Sequence, residues 1–180
     1  MIASGNQSEF SSYNIDMDRQ FDGIDTEILE ILQKNARTSN AEIARQVGLA
    51  PSAVFERIRK LEERGIVRGY RADLDPHSVG TALLAFVFVR SNERAGGVGT
   101  AQKLAEIPDV LEVHHVAGED CFLAKVRAAD TEALGRLLRE KFGAIPSITS
   151  TRTTIVLETV KETGVLPLEI AAEEPEAKRA

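Results

Sequence analysis

The sequence predicts an α+β protein in two parts, because its hydrophobic rhythm changes once along the 180 residues. In the first part apolar residues repeat at helical spacing through three successive segments. The second part mixes strand-like and helical stretches in the order strand, helix, strand, strand, helix, strand. Between the two rhythms stands Asp75-Pro76, followed by HSVG, a strong local break.

The first predicted helix is DTEILEILQKN, from Asp25 to Asn35, with Asp25 as its cap. Ile24, Ile28, Leu29, Ile31 and Leu32 give it a wide apolar stripe. The second helix starts at Ser39, and Glu42 follows at the spacing of a capping box, in which each side chain satisfies a backbone N–H left over at the helix start. Ile43, Ala44 and Val47 face inward, and Gly48 suits a left-handed helix end. Pro51 then fits the first turn of a third helix, where its missing N–H is not needed. In that helix Val54, Ile58 and Leu61 make the inner stripe, while Ser52, Ala53, Glu56, Arg57 and Lys60 lie opposite. After Gly65, IVRGYRADLD reads as a short ribbon or wing carrying Arg68 and Arg71. Helix, turn, helix and basic ribbon in this order suit a helix laid in a DNA major groove. Hydroxyl and guanidinium groups read base edges there, and Lys and Arg neutralise phosphates.

The net charge of −6 argues mildly against nucleic acid, but charge placement matters more than the sum. Arg45, Arg57, Arg59, Lys60, Arg64, Arg68 and Arg71 are opposed in the reading helix only by Glu56, Glu62 and Glu63. The footprint is local and modest, so binding should be salt-sensitive and need more than one copy per site. No apolar run is long enough for a membrane span, and the N-terminal residues lack the apolar core of a signal peptide. A single cysteine excludes an internal disulfide framework and fits a reducing cytoplasm.

The second part opens with LLAFVFV, Leu83 to Val89, a run expected of a strand buried on both faces. A short helix follows, Thr100 to Ile107, with Leu104 and Ala105 inward. Val110 to Ala117 alternates as a strand, Val110, Glu112, His114 and Val116 on one face and Leu111, Val113 and His115 on the other. After the turn Gly118-Glu119-Asp120 a strand runs from Cys121 to Arg127. Asp130 caps a helix from Thr131 to Phe142, and Ile148 to Val160 is the last strand. This is the split β-α-β, or ferredoxin-like, plan. One sheet face carries the helices and the other needs a partner. Burying a few hundred Å² of apolar sheet, at about 25 cal/mol per Å², is worth several kcal/mol and predicts a homodimer. The expected organisation is a tail over 1–18, a winged helix-turn-helix domain over 19–73, a linker over 74–80, a ferredoxin-like βαββαβ domain over 81–162 and a loose tail over 163–180.

These stretches, together with VAGEDCFLAKV and TRTTIVLETVKE, give a chain that resembles the Lrp/AsnC, or feast/famine, family of transcriptional regulators over about residues 20–161. The resemblance implies a DNA-binding N-terminal half and a C-terminal half that dimerises, binds an amino-acid effector and assembles further, to a tetramer or octamer. It places Ser52, Arg57 and Lys60 toward the groove and Arg68 and Arg71 at the DNA backbone. It places the effector near Gly118, Glu119, Asp120 and Cys121, with Thr153 and Thr154 close by. Many members have an aspartate where this chain has Cys121; here Asp120 precedes it.

Two other chemistries compete with this reading. His114, His115 and Cys121 are zinc-ligand types, but adjacent strand residues point to opposite faces, so no metal or other cofactor is expected. Some proteins similar to this family are sirohaem decarboxylases; the intact basic helix and wing favour DNA binding, so no catalytic residues are assigned.

Overall fold

The structure is a computed structural model that describes residues 22–94, 97–118 and 120–168. The tail expected over 1–18, Glu119 and the end of the C-terminal tail lie outside the described residues. The chain forms two compact units, one of residues 22–71 with 163–168, the other of 72–162.

The helical unit contains α1 (Gly23–Lys34), α2 (Asn40–Val47) and α3 (Pro51–Glu63). Ile28, Leu32, Ile43, Ala44, Val54 and Ile58 form its core. Each helix start is set by local chemistry. The cap of α1 is Asp22 rather than Asp25: Asp25 sits one turn in, and the two side chains hold each other's backbone N–H reciprocally. A donor-acceptor pair needs two partners, and the sequence has an aspartate at both ends of that spacing. Ser39 caps α2 by accepting from the Glu42 N–H at 3.2 Å. Glu42 does not return the bond; its carboxylate is taken by Arg45 and Gln46. Gly48 closes α2 at φ 70°, in the left-handed region that only glycine enters cheaply. Pro51 opens α3, whose buried side chains are Val54, Ile58 and Leu61.

The ribbon expected after α3 is not a strand: among the described residues none forms between Gly65 and Leu83. An antiparallel ribbon needs two runs joined by a tight turn, and only one run precedes Asp75-Pro76. The stretch is instead pinned to α3. The N–H groups of Ile66 and Val67 donate to the Leu61 carbonyl, and the Tyr70 hydroxyl donates to Glu62 at 2.9 Å. Burial, aided by that carboxylate, pushes the Tyr70 pKa up to about 12.

The sheet unit contains β1 (Leu83–Ser91), α4 (Gly99–Ala105), β2 (Val110–His115), β3 (Phe122–Ala128), α5 (Thr131–Leu137, continued by a π-helical turn over Leu138–Phe142) and β4 (Ile148–Ile155). All pairings are antiparallel, in the spatial order β2-β3-β1-β4. Ala85, Val87 and Val89 of β1 and Phe122, Ala124 and Val126 of β3 pack with Leu104, Leu134, Leu137 and Phe142 into one core. Asp130 caps α5 by accepting from the Ala133 N–H at 2.7 Å.

Three details depart from the sequence reading. β1 is covered unevenly: Ala85, Val87 and Val89 are buried on the helix side, while on the other face Leu84 is buried and Phe86 and Phe88 stay half-buried. A register shift between Val110 and Glu112 places Val110 in the core beside Val113, where strict alternation would separate them. Ala105 is exposed, and Ile107 takes the expected inward place beside Leu104. The face opposite the helices is also crossed by its own chain. Past β4, Glu162 pairs with both Lys125 and Arg127 of β3, whose side chains alternate with the core residues of that strand.

Candidate nucleic-acid interface and effector turn

On α3 the inner stripe leaves Ser52, Glu56 and Lys60 exposed and Ala53 and Arg57 half-buried on the flanks. The cations of this surface fall into two groups. Arg59 is spent along its own helix, on Glu56 at 3.0 Å and on Glu63 one turn further. Arg57 is turned toward α1: its Nη1 donates to Asp22 at 2.8 Å and to Asp25 at 2.7 Å. At Asp22 burial opposes ionisation, but the Asp25 N–H and the Arg57 guanidinium outweigh it and hold the carboxyl below its usual value. Lys60, Arg64, Arg68 and Arg71 form the second group. Among the described residues they make no ion pair, and all four are exposed. Beside α3 lies a concavity of about 390 Å³ lined by Lys60, Arg57, Arg64, Ala53 and Leu61 together with the carboxylates Asp25 and Glu56. The interface thus has four unspent positive charges per chain and a small-residue edge at Ser52 and Ala53. Arg64 was named in the sequence only as part of the basic count; its place at the end of α3 is what sets it beside Lys60.

In the sheet unit, Gly118 has φ 136° and lies in the turn between β2 and β3. The Cys121 N–H donates to the Val89 carbonyl at 2.9 Å, and its Sγ faces the Ser91 carbonyl at 3.8 Å. Asp120 accepts from Arg152 of β4 at 3.0 Å, and the same guanidinium lies 3.9 Å from the centre of the Phe88 ring. Arg152 was not singled out in the sequence. Its signal was there, a lone cation in a Thr-rich strand, but only the pairing of β1 with β4 puts it at this turn. Thr153 and Thr154 pair with Val87 and Phe86. They lie two and three residues from Val89, roughly 7–10 Å along the strand, so one chain does not bring them onto the turn. His114 bonds Glu112 at 3.1 Å, while His115 stacks on Phe122 with ring centres 5.1 Å apart. The two imidazoles therefore point to opposite faces and do not converge.

Residues 21–68 match the model described as winged helix-turn-helix DNA-binding, and residues 84–166 match the Lrp/AsnC ligand binding domain. The chain belongs to the Lrp/AsnC family. It is 41% identical over 153 residues to the leucine-responsive regulatory protein of Escherichia coli K12, covering 82% of this chain and 92% of that one. The leucine-responsive regulatory protein of Salmonella typhimurium is 40% identical over the same length. Among solved structures, E. coli AsnC superposes with TM-score 0.76 at 31% identity, over 82% of this chain and 99% of that one. A transcriptional regulator of Neisseria meningitidis in complex with L-Met gives the same TM-score and identity, over 82% and 96%. As a member of this Lrp/AsnC family the protein is a DNA-binding transcriptional regulator with a ligand-binding domain, on the two-domain plan of a helix-turn-helix and a four-stranded antiparallel sheet. No helix among the described residues is long and apolar enough to cross a membrane.

Proposed function

We propose that this Lrp/AsnC regulator acts in the cytoplasm as a homodimer or a higher assembly of dimers. Each dimer presents two α3 helices to duplex DNA, about one helical turn apart or a multiple of it. Ser52, Ala53, Glu56 and Lys60 lie toward the base edges, and Arg68 and Arg71 toward the phosphates. What carries the reading is the division of the cations: Lys60 and Arg64 on α3, and Arg68 and Arg71 just after it, are exposed and unspent. The half-buried strip of Phe86, Phe88 and Leu123 supports pairing of two sheets.

The effector site is the turn containing Gly118, Asp120 and Cys121, with Glu119 assigned to it from its place in the sequence alone. Arg152 and Asp120 carry the charges complementary to the carboxylate and ammonium of an amino acid, and an amino acid exchanging into their pair satisfies both. Thr153 and Thr154 reach the ligand only where copies meet. The names of the relatives, leucine-responsive and in complex with L-Met, support an apolar amino acid. Ligand-dependent assembly then needs a coupling of only about 1–3 kcal/mol to change DNA affinity by roughly 5- to 150-fold.

The test is the salt dependence of DNA binding by the Arg68→Ala, Arg71→Ala double variant. Each phosphate contact contributes roughly 0.9 to the slope of log affinity on log salt, so a dimer lacking both loses roughly 3.6. An unchanged slope rejects the assignment. For the turn, a thermal shift with amino acids that persists in Arg152→Ala rejects the pocket.

A further inference from the structure

Arg57 is the residue whose place on α3 and whose bonds disagree. Spacing puts it on the rim of the outer face, yet its guanidinium is committed to α1. On the carboxylate side the commitment is complete, and on the arginine side Nη1 makes both bonds. Asp22 gives one oxygen to the Asp25 N–H at 2.8 Å and the other to Arg57. Asp25 gives one oxygen to the Asp22 N–H at 3.3 Å and the other to Arg57. All four carboxylate oxygens are thereby used, and one positive charge meets two negative ones. Asp25 is 9% exposed, so the knot is shielded from salt on its inner side.

We infer that Arg57 is a positioning residue: it fixes the angle of the reading helix against α1 and does not itself touch DNA. The apolar core between α1 and α3 is attractive but non-directional, and it tolerates small rotations of one helix on the other. Two charge-assisted hydrogen bonds to a pair of carboxylates already locked by a capping box are directional. They tie the middle of α3 to the first turn of α1, so the base-facing side chains start from one pose. A phosphate gains little from this guanidinium, because the knot around it carries net negative charge.

This inference rests on α3 being the groove-facing helix, and the experiment separates the two. The full-length chain is titrated with two duplexes of equal length: one selected by the wild type from a randomised pool, and one of random sequence. The ratio of the two affinities is read, with the salt slope on each. A variant that merely loses folded protein weakens both duplexes equally and leaves the ratio unchanged. Arg57→Met is expected to lower the ratio by about tenfold or more, the cost of roughly one spoiled base contact, with the slopes unaltered. Asp25→Asn keeps the side-chain shape but removes one charge and one acceptor, loosening Arg57 while Asp22 still holds it; it is expected to lower the ratio by a smaller factor, and the double variant to be no worse than Arg57→Met alone.

If Arg57 were a DNA contact, Arg57→Met would lower the slope by roughly 0.9 per chain. Asp25→Asn would then hold or improve binding. Either result overturns the inference, as does an unchanged ratio in both variants. Should Arg57→Met fail to fold, Asp25→Asn alone decides, since its effect has opposite sign under the two readings. Lys60→Ala run beside them reports on α3 itself. A lowered ratio there, with an unchanged ratio for Arg57 and Asp25, removes only the brace.

Discussion

The two units of this chain solve the same problem with different materials. In the helical unit, geometry is set largely by short-range polar devices, the Asp22–Asp25 box, the Ser39 cap, the left-handed Gly48 and the pairs made by Arg59, with Arg57 bridging two helices. In the sheet unit, it is set by long-range register, with β1 paired on both sides and an apolar core beneath. Polar groups left over from the first kind of construction stay exposed. Apolar groups left over from the second, Phe86, Phe88 and Leu123, stay half-buried. What remains open on each unit is what its own folding did not consume.

The widest test of this contrast is to hollow each core in turn. Ile28→Ala, at a fully buried site, should cost the helical unit about 2–5 kcal/mol, and Leu104→Ala should cost the sheet unit a similar amount. Calorimetry should show each change moving a different transition; one shared transition would break the separation. Gly48→Ala should cost roughly 1–2 kcal/mol, because the left-handed turn, not space, is the obstacle. The same measurement should show Asp130→Ala costing about 1 kcal/mol through its lost cap on α5.

The smallest effect expected is in acid. The carboxyl of Asp22 is held below its ordinary 3.8, so its contribution is complete above that pH and disappears as pH falls through the lower folded value. Glu162, lowered chiefly by Lys125, behaves likewise from 4.5 downward. Stability that rises on acidification in this window would contradict both ion-pair sets.

Much of this was legible in the chain, and for a physical reason. Caps, glycine ends and apolar stripes act within four residues, so Ser39, Gly48, Pro51 and Asp130 announce the elements they bound. The strand-helix alternation likewise fixed the antiparallel plan. The bulge at Val110 was hidden, because one extra residue in a ladder depends on the partner strand. The commitment of Arg57 was hidden as well, being a bond across 32 residues between helices whose crossing no spacing reveals. Arg152 reached the turn through the register of β4. The fully buried Thr100, bonded to Ser91, Glu93 and Ser147, reads as an ordinary helix-start threonine until three segments meet around it. Sequence shows which groups a segment needs; it does not show which distant segment will claim them.

Gln33 makes the same point over a longer span. Its side chain donates to the Leu166 carbonyl at 3.1 Å and accepts the Leu166 N–H at 2.7 Å, across 133 residues. A nascent chain growing at about 5–20 residues per second reaches Leu166 roughly 7–27 s after Gln33 has been made. Until then that amide on α1 has only water to bond, and the DNA-reading unit is finished last although it is synthesised first.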